Sequence, residues 1–270
     1  MTVNIFCIGD IVGQPGRAML ADYLKAFIDE RHVDLVVCNA ENAAGGSGIT
    51  PQIFDRIRRY GVDVVTMGDH VYRRHDILTI LHQDSHIVRP ANLSPKAVGR
   101  QWTVVPTKSG NCRVGVAIIL GQMYMGSNDS PWAAADRVLD EMDDDVRIRV
   151  IDFHAEATSE KIAMGWHLNG RVSVVFGTHT HVPTADARIL DKGTAFISDV
   201  GMTGSYDSVL GRKKDVVLGF LTTSMPARFD VASEDPRLCG VLASVDADTG
   251  LAKTIERIEI IGHIEDDSES

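Results

Sequence analysis

Short apolar runs alternate with helix-like segments along most of the chain. Alternation of this kind is typical of an α/β fold, and a continuous apolar run predicts a strand that is buried on both faces. The pattern predicts strands at residues 3–8, 35–38, 62–67, 113–120, 147–153, 172–176 and 195–198. It predicts helices at residues 17–31 and 51–59, and a helical excursion or cap within residues 120–145. Two later apolar runs, residues 216–222 and 239–245, are β-like and predict an antiparallel meander with residues 253–261.

Polar side chains that can bind metals follow directly after several of these predicted strands. They are Asp10, Glu41, Asn42, Asp69, His70, His154, His179 and His181. Loops at the carboxyl ends of parallel strands converge, and ligand sites form there. The sequence therefore predicts that these residues share one site. In extended backbone, side chains two residues apart point the same way, so His179 and His181 are expected to face one metal cluster.

Each residue taken alone has an ordinary structural explanation. An aspartate that follows a glycine, such as Asp10, is a common turn former. His154 can be a hydrogen-bonded core histidine. Asp152 and Glu156 flank His154 and are interpreted as exposed loop carboxylates, with orientation of a metal ligand as the alternative. The prediction of a site therefore depends on the convergence of these positions, not on any single motif.

The predicted ligands are carboxylate, imidazole and amide groups, with no thiolate among them. This mixture suits manganese, iron or zinc in an open site better than a structural zinc centre built on cysteine. The candidates exceed what one tetrahedral ion needs. Two ions about 3.5–4 Å apart, bridged by a carboxylate and a hydroxide, would use them all.

Length and charge narrow the classes of function. The chain has 270 residues and a formal net charge of −10, which argues against a broad basic surface for nucleic acid. A small phosphate-bearing ligand is not excluded, because bound cations reverse the local charge. The sequence has no apolar run of roughly eighteen residues and no secretion signal at its start, so we expect a cytoplasmic protein. We predict one domain over residues 1–264 and an acidic, frayed tail at residues 265–270.

The polar positions lie in recognisable motifs. The motifs are IGDIVG at residues 8–13, NAENAAGG at 39–46, TMGDH at 66–70, DFHAE at 152–156, GTHTHVPT at 177–184 and DVGMTG at 199–204. In combination they resemble the YmdB-type calcineurin-like metallophosphoesterases over nearly the whole chain. The resemblance implies a four-layer α/β/β/α metallophosphoesterase sandwich, in which helices flank two packed mixed sheets. It also implies a dinuclear metal centre and hydrolysis of 2′,3′-cyclic nucleotides.

The resemblance also implies a role for each site residue. The first metal ion would be held by Asp10, Glu41, Asn42 and His181. The second would be held by Glu41, Asp69, His154 and His179, so that Glu41 bridges the two ions. His70 would be the general acid beside the metals. No substrate-binding residue is assigned.

The resulting hypothesis is a phosphodiesterase for small phosphodiesters, in which a metal-bridging hydroxide attacks phosphorus in line and His70 protonates the leaving oxygen. Two alternatives stay open: a phosphomonoesterase or nucleotidase on the same metals, and a low-turnover regulator that binds a nucleotide or an RNA end. We expect two metal ions, iron or manganese before zinc or magnesium. The expected partner is a small phosphodiester or nucleotide, with no membrane and no extended nucleic-acid surface, and a homo-oligomer is left open.

Two motifs depart from the pattern of the wider superfamily. Asp10 is followed by Ile11 and Val12 where that pattern has Asp-x-His. By the resemblance, Asn42 would be the substitute oxygen ligand. The usual Gly-Asn-His is here Gly-Asp-His, so that the carboxylate of Asp69 replaces a neutral amide. Three carboxylates and two divalent ions leave one positive charge, which a bridging hydroxide cancels. One unit of charge at close range is worth several kcal/mol at most.

We expect this site to prefer a monoanionic phosphodiester to a dianionic monoester, or to hold one trivalent iron. Asp69→Asn should therefore shift the kcat/KM ratio towards monoesters, by about tenfold for each ~1.4 kcal/mol of altered electrostatics, or change the metal content. Assays on a matched pair of esters and elemental analysis of both proteins measure these properties. Unchanged selectivity together with unchanged metal content would contradict both versions.

Overall fold

The structure is a computed structural model that describes residues 1–262. Its strands, in chain order, are β1 (Thr2–Ile8), β2 (Asp10–Ile11), β3 (Leu35–Asn39), β4 (Val64–Thr66), β5 (Ile87–Val88), β6 (Trp102–Pro106), β7 (Arg113–Leu120), β8 (Ile148–His154), β9 (Val174–Thr178), β10 (Arg188–Ile189), β11 (Ala195–Ile197), β12 (Met202–Ser205), β13 (Pro236–Asp246) and β14 (Ala252–Ile261). Its α-helices are α1 (Gly13–Met19), α2 (Lys25–Arg31), α3 (Pro51–Arg59), α4 (Leu78–Gln83), α5 (Pro131–Glu141), α6 (Thr158–Leu168) and α7 (Lys214–Thr223).

The first sheet has the strand order β2-β12-β13-β1-β3-β4-β5, and β14 pairs with β13. Strands β1, β3, β4 and β5 run parallel, with Ile5 opposite Leu35 and Val37 opposite Val64. Strand β13 runs antiparallel to both β1 and β14, so this sheet is mixed. Because β1, β3 and β4 are parallel, the segments that follow them leave the sheet at the same edge.

The second sheet has the strand order β10-β11-β9-β8-β7-β6. Strands β7, β8, β9 and β11 run parallel, and the edge strands β6 and β10 are antiparallel to their neighbours. The register places His154 of β8 between Leu120 of β7 and Thr178 of β9. His154 and Thr178 are therefore neighbours at the carboxyl ends of their strands.

Alternation along the strands sends side chains to two different cores. In β1, Ile5 and Cys7 face the second sheet and pack with its Val150 and Phe176. Phe6, on the opposite face, packs against helix residues of the first outer layer. On the far side of the second sheet, residues of α5 and α6 such as Ala135, Val138, Met164 and Leu168 form the other outer core. The layer order is helices, sheet, sheet, helices, which confirms the predicted sandwich.

The structure confirms the predicted start of one helix, whereas another helix begins earlier than predicted. Residues 51–59 form α3 as expected, with Thr50 accepting a hydrogen bond from the Ile53 N–H and Pro51 in the first turn. The helix expected at residues 17–31 begins earlier, at Gly13, and continues through a π-helical turn at Leu20–Leu24 into α2. Pro15 did not prevent the early start, because N–H groups in a first turn have no acceptor within the helix.

The prediction of a β-like run at residues 216–222 is wrong, since these residues lie in the helix α7. Val217 is buried, whereas Leu218, Phe220 and Leu221 are exposed. An apolar run without alternation does not distinguish a strand from a helix. The rest of the predicted meander is confirmed, because residues 239–245 and 253–261 lie in the antiparallel strands β13 and β14. The helical segment expected within residues 120–145 is α5, which packs on the second sheet as an outer layer.

Within the described residues, each helix is too short or too polar to cross a bilayer. The single domain over residues 1–264 stays a prediction. The predicted acidic tail at residues 265–270 lies outside the described residues.

Two glycines allow a matched test of packing. A Cβ on Gly177 in β9 would stand 1.7 Å from the backbone oxygen of Ser198, whereas a Cβ on Gly219 in α7 would meet nothing within 4 Å. We expect Gly177→Ala to lower the free energy of unfolding by about 1–3 kcal/mol, because the neighbouring strand must move. Gly219→Ala should raise it by up to about 1 kcal/mol, because alanine favours the helix. Denaturant unfolding measures both, and equal stability of the two variants would contradict the packing described.

Candidate metal centre

The predicted site residues come together at the edge that the two sheets share. Glu41, Asn42, His70, His179 and His181 line a cavity of about 310 Å³. The remaining predicted residues lie against this group: Asp10 in β2, Asp69 after β4 and His154 at the end of β8. The first sheet and the loops that follow it supply the carboxyl and amide groups together with His70, and the second sheet supplies the other imidazoles.

His154 is the centre of one group of possible ligand atoms. Its Nε2 atom is 3.0 Å from Asp69 Oδ1, 3.1 Å from His179 Nδ1 and 3.4 Å from Glu41 Oε1. His154 is fully buried and Glu41 is nearly so. The ligand atoms of Asp69, His154 and His179 all lie within 4.8 Å of one another, as one cation would require.

A second group surrounds Asp10. His181 Nε2 is 3.8 Å from Asp10 Oδ1 and 3.3 Å from Asn42 Nδ2. Asp10 Oδ1 is buried and has no hydrogen-bond partner within the described part of the chain. A buried carboxylate oxygen without a partner is costly unless a cation satisfies it. Glu41 lies between the groups, since its Oε1 atom also contacts Asn42 Nδ2 at 3.3 Å.

The Asn42 amide and the His70 ring form the side of the cavity. His70 Nδ1 is 2.8 Å from Asn42 Oδ1, and the His70 backbone N–H donates to Glu41 Oε2 at 2.9 Å. In this orientation Asn42 turns its NH₂ group, not its oxygen, towards His181. Coordination by Asn42 therefore requires its amide to rotate by half a turn, which exchanges two groups of nearly equal size.

The backbone that carries the two histidines is not extended, so that part of the prediction is wrong. His179 has φ of 96° and His181 has φ of 65°, and such conformations cost about 1–3 kcal/mol each for residues with a side chain. The His179 N–H donates to Asp10 Oδ2 at 3.0 Å, which helps to hold the turn. Both rings nevertheless face the cluster, but through a turn and not through strand geometry.

A buried ion pair stabilises this turn. Lys161 Nζ in α6 lies 2.5 Å from Asp199 Oδ2 and donates to the Thr178 carbonyl at 2.8 Å. Asp199 Oδ2 accepts from both the N–H and the hydroxyl of Thr180. Lys161 and Asp199 are 2% and 1% exposed, so water does not compete for these bonds. The pair fixes the residues on either side of His179.

Each of the three imidazoles of the cluster has an oxygen beside its outward ring nitrogen. His179 Nε2 is 3.1 Å from Glu156 Oε2, and His181 Nδ1 is 3.1 Å from the Leu210 carbonyl oxygen. His154 Nδ1 is 2.8 Å from the hydroxyl of Thr178. Oxygen partners of this kind orient a histidine and select the nitrogen that remains free for a metal.

The interpretation of Asp152 as an exposed loop carboxylate is wrong. Asp152 is fully buried within β8 and accepts hydrogen bonds from Thr66 and Thr178, each at 2.6 Å. Burial raises the pKa of Asp152 to about 6, although His154 and the two hydroxyls oppose this rise. An acidic residue between the apolar residues Ile151 and Phe153 of a strand, two positions before His154, was the signal for this role. Glu156 is exposed as expected.

The pKa shifts of Asp69 and His154 show that the cluster attracts positive charge to its centre. Burial opposes ionisation of Asp69, but hydrogen bonds with His154 and His179 outweigh it, and the pKa of Asp69 lies below its usual range. Burial likewise opposes protonation of His154, but Glu41 and Asp69 outweigh it and raise the pKa of His154. Lone pairs that together attract a proton can attract a cation in its place.

The residues present fit a pair of cations. The donors are carboxylate and imidazole groups in overlapping triads, and one buried carboxylate oxygen has no hydrogen-bond partner among residues 1–262. A Cβ on Gly68 would stand 2.3 Å from Glu41 Oε2 and 2.4 Å from His154 Nε2, so only glycine leaves room for these ligands. The assignment of individual ligands and of His70 stays a prediction.

Arg212 is a cavity residue that the sequence analysis missed. Its guanidinium donates to the carbonyl oxygens of Gly45, Gly46 and Phe229, and its side chain lines the cavity. The bonds tie the glycine-rich turn after Asn42 to the segment before α7. An arginine far along the chain from a glycine-rich loop gives no signal of this contact in the sequence.

Comparisons with known proteins show which protein family the chain resembles over nearly its whole length. The family model of the YmdB-like protein matches residues 6–258. The chain is 41% identical over 258 residues to the 2′,3′-cyclic-nucleotide 2′-phosphodiesterase of Bacillus subtilis (strain 168), covering 96% of this chain and 97% of that protein.

Solved structures agree with this likeness. The crystal structure of a novel phosphatase from Mycoplasma pneumoniae matches with a TM-score of 0.90 and 30% identity, covering 97% of this chain and 94% of that chain. A 5′-nucleotidase from Candida albicans SC5314 matches with a TM-score of 0.56 and 13% identity, covering 96% of this chain and 51% of that chain. This second likeness concerns the fold alone.

Proposed function

This chain belongs to the YmdB-like protein family, and we propose that it is a phosphodiesterase that uses a pair of metal ions to hydrolyse small phosphodiesters such as 2′,3′-cyclic nucleotides. The family membership confirms the resemblance expected from the motifs, and the metallophosphoesterase fold is confirmed with it. The observation that carries the proposal is the convergence of Asp10, Glu41, Asp69, His154 and His179 into overlapping triads of ligand atoms.

The proposal assigns the ligands in two sets that share Glu41. Asp10, Asn42 and His181 complete the first set, and Asp69, His154 and His179 complete the second. The distances of 3.0–3.8 Å between neighbouring ligand atoms support this division. Oxygen and imidazole donors without thiolate favour iron or manganese, with zinc or magnesium as further candidates.

A bound pair of ions supplies an activated water and neutralises charge on the phosphoryl oxygens. The chain's own residues orient the reaction. His70 is anchored to the cluster by its backbone N–H and by Nδ1, and its side chain is 27% exposed at the cavity. We assign to it the protonation of the departing ribose oxygen, a contribution of about 10²–10⁴ in rate for a poor leaving group.

A phosphomonoesterase on the same centre is the second candidate. It is favoured by the structural neighbour from Mycoplasma pneumoniae, which is described as a phosphatase. The extra carboxylate of Asp69 favours the diester instead, because it lowers the positive charge available to a dianion. We further propose a cytoplasmic location and a small phosphodiester or nucleotide as the partner. A homo-oligomer stays a prediction.

We expect protein purified without chelators to contain two metal ions per chain and to hydrolyse 2′,3′-cyclic nucleotides with a higher kcat/KM than the matching nucleoside monophosphates. Prolonged dialysis against a chelator should abolish turnover, and iron or manganese should restore it. Elemental analysis and product assays measure both properties. Higher kcat/KM on monoesters would favour the second candidate, and metal-dependent binding without product would favour a regulatory protein.

His70→Ala should leave the metal content unchanged and lower turnover of a cyclic nucleotide by about 10²–10⁴, because the leaving alkoxide loses its proton donor. A diester with a nitrophenolate leaving group should be much less affected, since that group leaves without protonation. His75→Ala is the matched control, because His75 is exposed outside the cavity. Loss of a metal ion in His70→Ala would identify His70 as a ligand and not an acid.

A further inference from the structure

The proton on the His154 ring must be on one particular nitrogen if this residue is to bind a cation. His154 turns Nε2 towards Asp69 and Glu41 and turns Nδ1 away from the cavity, towards Thr178. An imidazole coordinates through the nitrogen that carries no proton. Coordination through Nε2 therefore requires the proton on Nδ1, and a group beside Nδ1 must accept it.

The acceptor beside Nδ1 is a hydroxyl, which can either donate or accept a hydrogen bond. His154 Nδ1 is 2.8 Å from Thr178 Oγ1, and that oxygen is 2.6 Å from Asp152 Oδ1. Thr178 Oγ1 donates its single proton to Asp152 Oδ1 in this bond. The hydroxyl then has only lone pairs to offer to His154, and Nδ1 must be the donor.

The side chain of Asn39 favours the opposite tautomer of His154. Its Nδ2 atom is 3.3 Å from His154 Nδ1 and donates to Asp152 Oδ2 at 3.4 Å, and its Oδ1 atom accepts from the backbone N–H of Glu41 at 3.1 Å. The amide orientation is therefore fixed, and an NH₂ group faces the ring. A donor at this place favours a bare Nδ1 and moves the proton to Nε2, where it would block a cation.

We propose that Asp152 and Thr178 are positioning residues that hold the proton on Nδ1 of His154 and so keep its Nε2 free for metal. The proposal rests on the metal centre of the proposed function. His179 and His181 need no such relay, because their outward nitrogens face a carboxylate and a carbonyl, which can only accept. His154 is the one of the three whose acceptor must itself be directed.

Thr66 provides a matched control for Thr178. Both side chains are fully buried, and each hydroxyl lies 2.6 Å from one oxygen of Asp152. Thr66 donates to Oδ2, and its other polar contact is the Cys38 carbonyl oxygen, not His154. Valine has nearly the shape of threonine, so Thr66→Val and Thr178→Val remove equivalent bonds from the carboxylate. The two variants differ in whether His154 loses its acceptor.

The experiment measures the affinity of the full chain for Zn²⁺ by competition with a chelator of known affinity. We expect Thr178→Val to weaken one of the two bound ions by about 10–100-fold, which is the usual effect of removing a partner of a ligating histidine. The other ion should be held nearly as before. Thr66→Val should bind both ions like the wild type, and Thr178→Ser should as well, because serine restores the hydroxyl.

A second measurement observes the proton itself. In Zn²⁺-loaded protein labelled with ¹⁵N-histidine, His154 should give a slowly exchanging Nδ1–H signal, identified by its loss in His154→Asn. This signal should persist in Thr66→Val and be lost or exchange rapidly in Thr178→Val. The readout separates a directed proton from a general loss of stability, which would affect both valine variants.

The outcomes distinguish this inference from the function on which it rests. Unchanged Zn²⁺ affinity in Thr178→Val, or an equal loss in Thr66→Val, would overturn the positioning role and leave the metal centre intact. Failure of the wild-type chain to bind Zn²⁺, iron or manganese would overturn the metal centre and this inference with it. If Thr178→Val does not fold, a weakened ion in Thr178→Ser would also count against the proposal, because the hydroxyl is present there.

Discussion

The structure depends on the carboxyl groups of Asp10 and Glu41, which are brought together in the buried interior. They are 0% and 1% exposed, and the more exposed Asp69 approaches Glu41 from the next loop. Repulsion between buried carboxylates is expensive unless a positive charge lies among them. The parallel registers of β1, β3 and β4 force this meeting, since all three strands end at one edge. The fold is thus built around positive charge that bound cations would supply.

Two of the histidines that follow the strands of the second sheet reach the site only with a strained backbone. His179 and His181 both have positive φ, and that conformation persists only where neighbouring groups fix it. Asp10 holds the His179 N–H, and the buried Lys161–Asp199 pair holds Thr178 and Thr180. The strained turn lets side chains from one short segment face the cluster. A regular strand would have carried the second histidine about 6–7 Å farther along the sheet.

The sequence predicted the parts of this arrangement that depend on one strand at a time. Apolar runs located β1, β3, β7 and β8, and polar residues at their ends located the site. The predictions that were wrong concern residues whose burial or backbone conformation depends on contacts between distant segments. Asp152 looked exposed because its partners, Thr66 and Thr178, belong to other strands. The turn at His179 depends on Asp10, which lies 169 positions away in the chain. A local sequence pattern does not identify such distant partners. The apolar residues of α7 likewise do not alternate or recur with a period that would distinguish a helix from a strand.

The size and charge of the cavity favour a small substrate over a polymer. A volume of about 310 Å³ is at the lower end for ligand pockets and suits a single nucleotide. Arg212 adds positive charge at the rim, and its guanidinium is held in place by three hydrogen bonds to carbonyl oxygens. Val12 and Leu210 offer apolar surface beside it. Three carboxylates, two divalent ions and a bridging hydroxide would together be neutral, so that the charge of Arg212 would balance a single negative charge, as a cyclic phosphodiester carries.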